Sequence, residues 1–264
     1  MCSSKPRAAF TLVELLVVVA IVGLLLAILI PSLAAARRQT ERVVCASHLR
    51  QIGHGFIMYA EAHGGLAMPL AYTQRRQPAV YWWGMITSEG VDYRAGFLRP
   101  YLPEEVKLDG VYNCPSQPWG SYVPQGTTRR DVTSTYGYNG YYLCPPYTPG
   151  WSETVGWRPW RNIDAVEDSG RLFAFADTMI VLGGQLKNNA LLDPPLFFQG
   201  PRRWSVNPSP TTSFRHDGLT NALHVDGHAA AYHPNGGRIT SAEFNIGSVR
   251  AENDPHYVPD WFEW

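Results

Sequence analysis

The residues best suited to chemistry crowd toward the C-terminal end of the chain. His216, Asp217, His224, Asp226, His228 and His233 follow one another closely, and Asp177 lies at the end of the apolar run that precedes them. Imidazoles and carboxylates are the ligands that zinc takes when three or four of them converge on one point. Calcium takes oxygen ligands, which Asp177, Asp226 and nearby backbone carbonyls would supply. Ser213, His216 and Asp226 are the residue types of a nucleophile, a base and its orienter. The chain has no G-x-S-x-G elbow to present such a serine, and Ser213 and His216 are merely near in sequence, so catalysis is not expected.

What these side chains can do depends on the strands that carry them. RLFAFADT, 171–178, is a short apolar run bounded by Ser169-Gly170 and reads as a buried strand. FRHDGLTNALHVDGHAAAYHP, 214–234, reads as a hairpin turning on Asp226-Gly227, a favoured two-residue I′ dipeptide. That register pairs Val225 with His228, Leu223 with Ala230 and Asn221 with Tyr232, and puts Leu223, Val225, Ala230 and Tyr232 on one core face. His224 and His228 then point to opposite faces, which divides the zinc set. The preferred reading is a plain Asp-Gly turn with hydrogen-bonded histidines and no cofactor; calcium on Asp177 and Asp226 is the alternative.

The rest of the chain beyond residue 65 is less regular. STYGYNGYY reads as a strand ending in an Asn139-Gly140 turn, while AVYWWGMI and AGFLRPYL each suit a strand or a short helix. Trp151, Trp157 and Trp160 are rings covering a loop-rich core or, alternatively, a platform for a glycan or protein partner. Lys plus Arg number 22 and Asp plus Glu 22, so composition gives no electrostatic case for nucleic acid. With 24 Gly, 21 Pro, 14 Tyr and 9 Trp, short strands joined by long loops are expected rather than a helical bundle.

The N-terminal end differs. From Phe10 to Ile30 only Thr11 and Glu14 are polar, and a helix of that length crosses the roughly 30 Å hydrocarbon core of a bilayer. A carboxylate there costs about 2.5–3.5 kcal/mol on insertion, so Glu14 needs a partner. The basic residues Lys5 and Arg7 before the span and Arg37, Arg38 and Arg42 after it do not choose an orientation. Ala34-Ala35-Ala36 offers a signal-peptidase pattern, but Glu14 has no place in a signal-peptide core. Beyond Pro31 the helix continues with a new period: Cys45, Leu49, Ile52, Phe56, Tyr59, Ala60 and His63 recur at spacings of three and four. Gly64-Gly65 is its stop signal, and Gly53 and Gly55 mark places where the domain backbone comes close.

A short basic leader, a small residue, then Phe-Thr-Leu-Val-Glu-Leu-Leu and an unbroken apolar run resembles the processing signal of type IV pilins and type II secretion pseudopilins. The resemblance implies cleavage by a prepilin peptidase between Ala9 and Phe10, methylation of the new amine, and pairing of Glu14 with the N-terminal amine of a neighbouring subunit. Pro31 stands where many pilin stems carry a helix-weakening proline. Ala9 departs from the family's usual glycine before the cut. The family also implies an N-terminus on the cytoplasmic side of a bacterial inner membrane, with the bulk of the chain in the periplasm or in a pseudopilus.

A second resemblance covers most of the chain. His216, nine intervening residues and Asp226-Gly227 look like the H-x9-DG signature ending large prepilin-like proteins of planctomycete-type bacteria, and YNCPS, STYGYN and FAFADT fall in that family's order. A cysteine after the stem and a Cys-Pro-Ser are features of those proteins, so the resemblance favours a disulfide between Cys45 and Cys114, ahead of Cys114 with Cys144. The expected architecture is α+β and pilin-like: leader 1–9, membrane and assembly helix 10–35, amphipathic stem 36–64, and an exported domain 65–264 built on an antiparallel sheet. The expected role is a structural filament subunit whose partners are prepilin peptidase and other pseudopilins. The alternative is an anchored surface protein binding glycan or protein through aromatic loops, with no filament role.

Overall fold

The computed structural model describes residues 12–72, 79–87, 89–102, 110–117 and 133–264. The chain divides into two compact units, 1–40 and 41–264. In the first, the described residues are the leading part of a helix that runs Leu12–Ala62 and includes Pro31. Lacking an N–H, Pro31 takes the helix bond from the carbonyl of Ala27 without ending the helix. Every described side chain of this unit is exposed, and by length and composition the helix is long and apolar enough to cross a membrane.

The second unit opens with the rest of the helix. Cys45, Leu49, Ile52, Gly53, Gly55, Phe56, Tyr59 and Ala60 are buried along it, the stripe expected from the spacing; His63 is exposed instead and stacks on Tyr59 at 3.9 Å. The helix ends as its glycines require. Gly64 and Gly65 take positive φ, and the Gly65 N–H reaches back to the Ala60 carbonyl at 2.8 Å, closing the last turn.

The stem packs on a four-stranded antiparallel sheet ordered Ala229–Tyr232, Thr220–His224, Phe173–Asp177, Tyr136–Tyr138. The architecture is thus α+β, a long N-terminal helix followed by antiparallel sheets, as the sequence implies. The Phe173–Asp177 strand is buried throughout, as its unbroken apolar run demands. Phe175 is the hub: its ring lies 5.9 Å from Phe56, 5.0 Å from Trp82 and 4.9 Å from Tyr138. Gly53 faces Leu223, whose Cδ1 would stand 2.8 Å from an added Cβ. The close approach at that glycine is therefore to a side chain rather than to backbone. AVYWWGMI supplies strands Val80–Tyr81 and Gly84–Ile86 of a second, four-stranded meander; AGFLRPYL forms turns.

Two turns differ from expectation. Asn139-Gly140 is not a hairpin turn: Gly140–Leu143 is a helical turn, and Asn139 is buried with its Nδ2 donating to the carbonyls of Phe173 (3.0 Å) and Tyr257 (2.9 Å). Asn139→Ala is expected to cost about 1–3 kcal/mol by stranding those acceptors, to be read by urea denaturation of the full chain in detergent.

The C-terminal hairpin is shifted by one residue. Leu223 pairs with Ala229, Ala222 with Ala230 and Thr220 with Tyr232, so Val225, Asp226 and Gly227 form a three-residue loop closed by His224 N–H to His228 O at 2.8 Å. Gly227 has φ +92°, the glycine of a three-residue loop rather than of a two-residue I′ turn. Because a one-residue slip exchanges faces, Leu223 does not share its face with Ala230 and Tyr232. The I′ geometry occurs nine residues earlier, at Asp217 (φ +53°) and Gly218 (φ +84°), where His216 and Leu219 exchange both backbone bonds at 3.1 Å.

Candidate functional site

Along the Phe173–Asp177 strand, residues 175 and 177 lie on one face. The stem therefore meets a ring at Phe56 and, nearer its start, a carboxylate at Cys45. Asp177 is wholly buried, and Cys45, Cys114 and His216 join it, all four donor atoms lying within 4.8 Å of one another. Cys45 Sγ is 3.3 Å from Asp177 Oδ1, Cys114 Sγ is 3.4 Å from His216 Nε2, and His216 Nε2 is 3.2 Å from Asp177 Oδ2. None of the four is more than 4% exposed.

Each member is held from its own element. Cys45 sits on the stem stripe with the Tyr136 hydroxyl 3.5 Å from its sulfur. The Cys114 N–H donates to Thr135 Oγ1 at 2.7 Å. Asp177 ends its strand, its Oδ2 accepting the Asn221 N–H at 2.8 Å, while Asn221 Nδ2 reaches the Arg42 carbonyl of the stem at 3.2 Å. His216 is delivered by the tight Asp217-Gly218 turn.

Arg215 supplies the positive charge. Its guanidinium stands 3.8 Å from Asp177 and donates to the Thr178 carbonyl at 2.8 Å, the Thr135 carbonyl at 3.2 Å, Ser213 Oγ at 3.2 Å and Gln117 Oε1. Burial acts to raise the Asp177 carboxyl, but Arg215 and His216 outweigh it and hold the group below its ordinary range. Burial likewise acts against the charged imidazole of His216, yet Asp177 and Cys114 bring it up to about 10. The Cys45 thiol is pushed up by burial and by Cys114 and Asp177. For Cys114 burial opposes ionisation, while bonds from Cys45 and His216 and the Arg215 charge bring it down to about 6.

This geometry excludes a relay triad. In a triad the base uses one ring nitrogen toward the nucleophile and the other toward the carboxylate; here Cys114 and Asp177 both face Nε2, and Nδ1 has no hydrogen-bond partner among the described residues. Nor are Ser213, His216 and Asp226 assembled: Ser213 Oγ takes the Arg215 bond, and Asp226 lies in the hairpin loop, its Oδ1 bound to the His228 N–H (3.1 Å) and ring (2.7 Å). Asp177 and Asp226, the pair of the alternative calcium reading, sit toward opposite ends of their strand pair: Asp177 at Asn221, Asp226 with its N–H on the Ser169 carbonyl. The register shift brings His224 and His228 to one face, stacked at 3.9 Å, with His224 Nε2 on the Tyr232 hydroxyl at 2.9 Å.

Cys45, Cys114 and Cys144 are free thiols in the structure. Cys45 and Cys114 are neighbours in the cluster, whereas Cys144 lies apart, accepting the Leu70 N–H at 3.1 Å. Arg215, Tyr136 and the joining of both cysteines to His216 and Asp177 were not foreseen from sequence. The signal that could have found the last was the earlier Asp-Gly pair of this segment, Asp217-Gly218.

A second concavity of about 500 Å³ is lined by Tyr81, Trp83, Trp151, Phe197, Asn189 and Asp193, among others. Trp151 is there a pocket wall, with its Nε1 on Asp193 Oδ1 at 3.1 Å; Trp160 is tied to the Ala67 carbonyl at 2.6 Å; only Trp157 of the three is largely exposed. Burial pushes the Asp193 carboxyl from 3.8 up to about 7, against the pull of hydrogen bonds from Trp151 and Asn189. The folded chain thus keeps a proton that the unfolded chain has released, so this residue's contribution to stability is full below pH 4 and is lost as pH rises through about 7. The stability advantage of Asp193→Asn over wild type is expected to grow between those limits, toward a ceiling of about 4 kcal/mol, and to level off above pH 8 in melts taken across that range.

A family model, the prokaryotic N-terminal methylation motif, matches residues 4–30. The class of protein is therefore that of chains bearing this motif at the head of a long apolar helix. No curated protein and no solved structure matches the chain significantly. Ala9 and Phe10 lie outside the described residues; Glu14 and Pro31 lie on the Leu12–Ala62 helix, both exposed in the single chain.

Proposed function

We propose that this chain is a structural subunit of a pseudopilus or type IV pilus-like filament, of the kind that serves type II secretion. The observation that carries the reading is the methylation motif over residues 4–30, with a single carboxylate, Glu14, within its apolar run. In this reading prepilin peptidase cuts between Ala9 and Phe10 at the cytoplasmic face of the inner membrane and the Phe10 amine is methylated. Glu14 of one subunit neutralises that amine on the next, and residues 41–264 lie in the periplasm. A buried pair of this type is favourable only where both charges are present, which makes assembly and processing interdependent.

Intact-mass and N-terminal peptide analysis of protein from its native host tests this: the chain should begin at a methylated Phe10. Retention of the first nine residues, or a chain beginning at Arg37, would overturn it.

The aromatic pocket supports a second reading, an anchored protein that binds a glycan or protein partner without a filament. Trp83, which lines that pocket together with Asn189 and Asp193, has a buried Nε1 with no hydrogen-bond partner among the described residues. Anchoring alone would leave Glu14 dispensable.

A further inference from the structure

We infer that Cys45, Cys114, Asp177 and His216 bind one zinc ion in a closed, tetrahedral, structural site. The inference stands on the geometry of residues 41–264 and is independent of whether the chain builds a filament.

The donor set comes first. Two thiolates, one imidazole and one carboxylate are the ligand types zinc takes, and four of them make a site with no open position. The soft sulfur pair disfavours calcium and magnesium, which take oxygen. The spacing comes second. With Zn–S near 2.3 Å, Zn–N near 2.0–2.1 Å and Zn–O near 2.0–2.2 Å, the edges of a tetrahedron are about 3.3–3.8 Å. The observed separations are 3.2 Å from His216 Nε2 to Asp177 Oδ2, 3.3 Å from Cys45 Sγ to Asp177 Oδ1 and 3.4 Å from Cys114 Sγ to His216 Nε2, and one donor atom from each of the four residues lies within 4.8 Å of the others. Metal entry therefore requires the donors to close by up to about 1 Å around a single carboxylate oxygen.

The third argument is proton economy. His216 Nε2 faces both the Cys114 sulfur and the Asp177 carboxylate, and one N–H cannot point along both lines. A divalent ion at the common centre satisfies all four donors together, the sulfurs binding as thiolates and the imidazole through an unprotonated Nε2, with the displaced protons released to solvent. The charge then closes locally: two thiolates and a carboxylate against Zn²⁺ leave one negative charge, and the buried Arg215 guanidinium 3.8 Å from Asp177 balances it. Asn221 N–H on Asp177 and the Tyr136 hydroxyl near Cys45 fix ligand orientation, as outer-shell partners do in metal sites. With every ligand buried there is no room for substrate, so the ion's work is to tie the stem to three distant segments of the domain.

The test uses the full chain, expressed with zinc, purified in detergent without chelator, and measured by elemental analysis. About one zinc per chain is expected. A strong chelator should remove it and lower the melting temperature, and readdition of zinc should restore both. Cobalt substitution supplies a readout that a merely buried polar cluster would not give: a thiolate-to-cobalt charge-transfer band together with tetrahedral visible bands. Cys114→Ser should weaken cobalt affinity by at least the 10–100-fold that loss of an outer-shell partner causes, and Asp226→Ala should leave it unchanged. A folded chain that retains no zinc and gives no thiolate-to-cobalt band after metal loading overturns the inference. So does a Cys45–Cys114 disulfide in protein taken from the native host.

Discussion

Arg215→Ala is expected to be the most damaging single substitution in the domain outside the aromatic core, lowering stability by about 3–5 kcal/mol. The guanidinium is all but buried beside Asp177, and it also holds the Thr135 and Thr178 carbonyls, Ser213 and Gln117. Truncation strands those acceptors and removes the fixed cation from a carboxylate that cannot reach water. Arg215→Lys should recover only part of the loss, because one ammonium cannot reproduce a planar fork reaching several acceptors in fixed directions. Urea denaturation of wild type and both variants at neutral pH, in the same detergent, measures it. A loss under about 1 kcal/mol for the alanine variant would mean the Asp177 charge is balanced by another route.

Glu14→Ala carries the second large effect and reports on assembly. The substitution removes the only carboxylate of the apolar segment, so insertion into the bilayer should become easier, by about the 2.5–3.5 kcal/mol a central charge costs. Assembly should move the opposite way. Leaving the neighbour's amine unpaired at a buried contact costs about 3–5 kcal/mol, so filament yield should fall by a factor of about 100 or more while the membrane-bound amount is maintained. Glu14→Gln separates charge from polarity: a filament held by the ion pair loses assembly with glutamine as well. Unchanged filaments with either variant would mean that the Glu14 charge does not hold them, whereas no filaments from wild type, with the membrane-bound amount the same in both variants, would favour the anchored-binder reading. Quantitative imaging of sheared filaments against membrane-fraction immunoblots supplies both numbers.

Much of the scaffold was legible in the residues. The stem's spacing fixed which side chains it buries, Cys45 through Ala60, because a helix on a sheet allows one stripe only. The Phe173–Asp177 strand was equally plain from its apolar run. The hairpin was harder: two Asp-Gly pairs stand nine residues apart, and only the backbone shows that the first makes the tight I′ turn and the second a three-residue loop. The one-residue shift moved His224 onto the face of His228, and the I′ turn at Asp217-Gly218 set His216 beside Cys114. The four-residue cluster was hidden for a related reason. Its members come from the stem, a loop, a strand and a tight turn, and no local pattern announces a meeting that depends on how distant segments dock.

The same dispersal has a bearing on how the molecule is made. Cys45 and His216 are 171 positions apart, so the pocket around these sulfurs can be sealed only after nearly all of the chain is available, and closing so long a loop is a slow, entropically opposed event. Until then the thiols stand open to oxidants and to mispairing with Cys144. A nascent molecule that docks the His216 turn promptly protects its own sulfur chemistry; one that stalls leaves three reactive groups in reach of each other. Quality control of this protein is thus expected to act on the last segment to arrive rather than on the first.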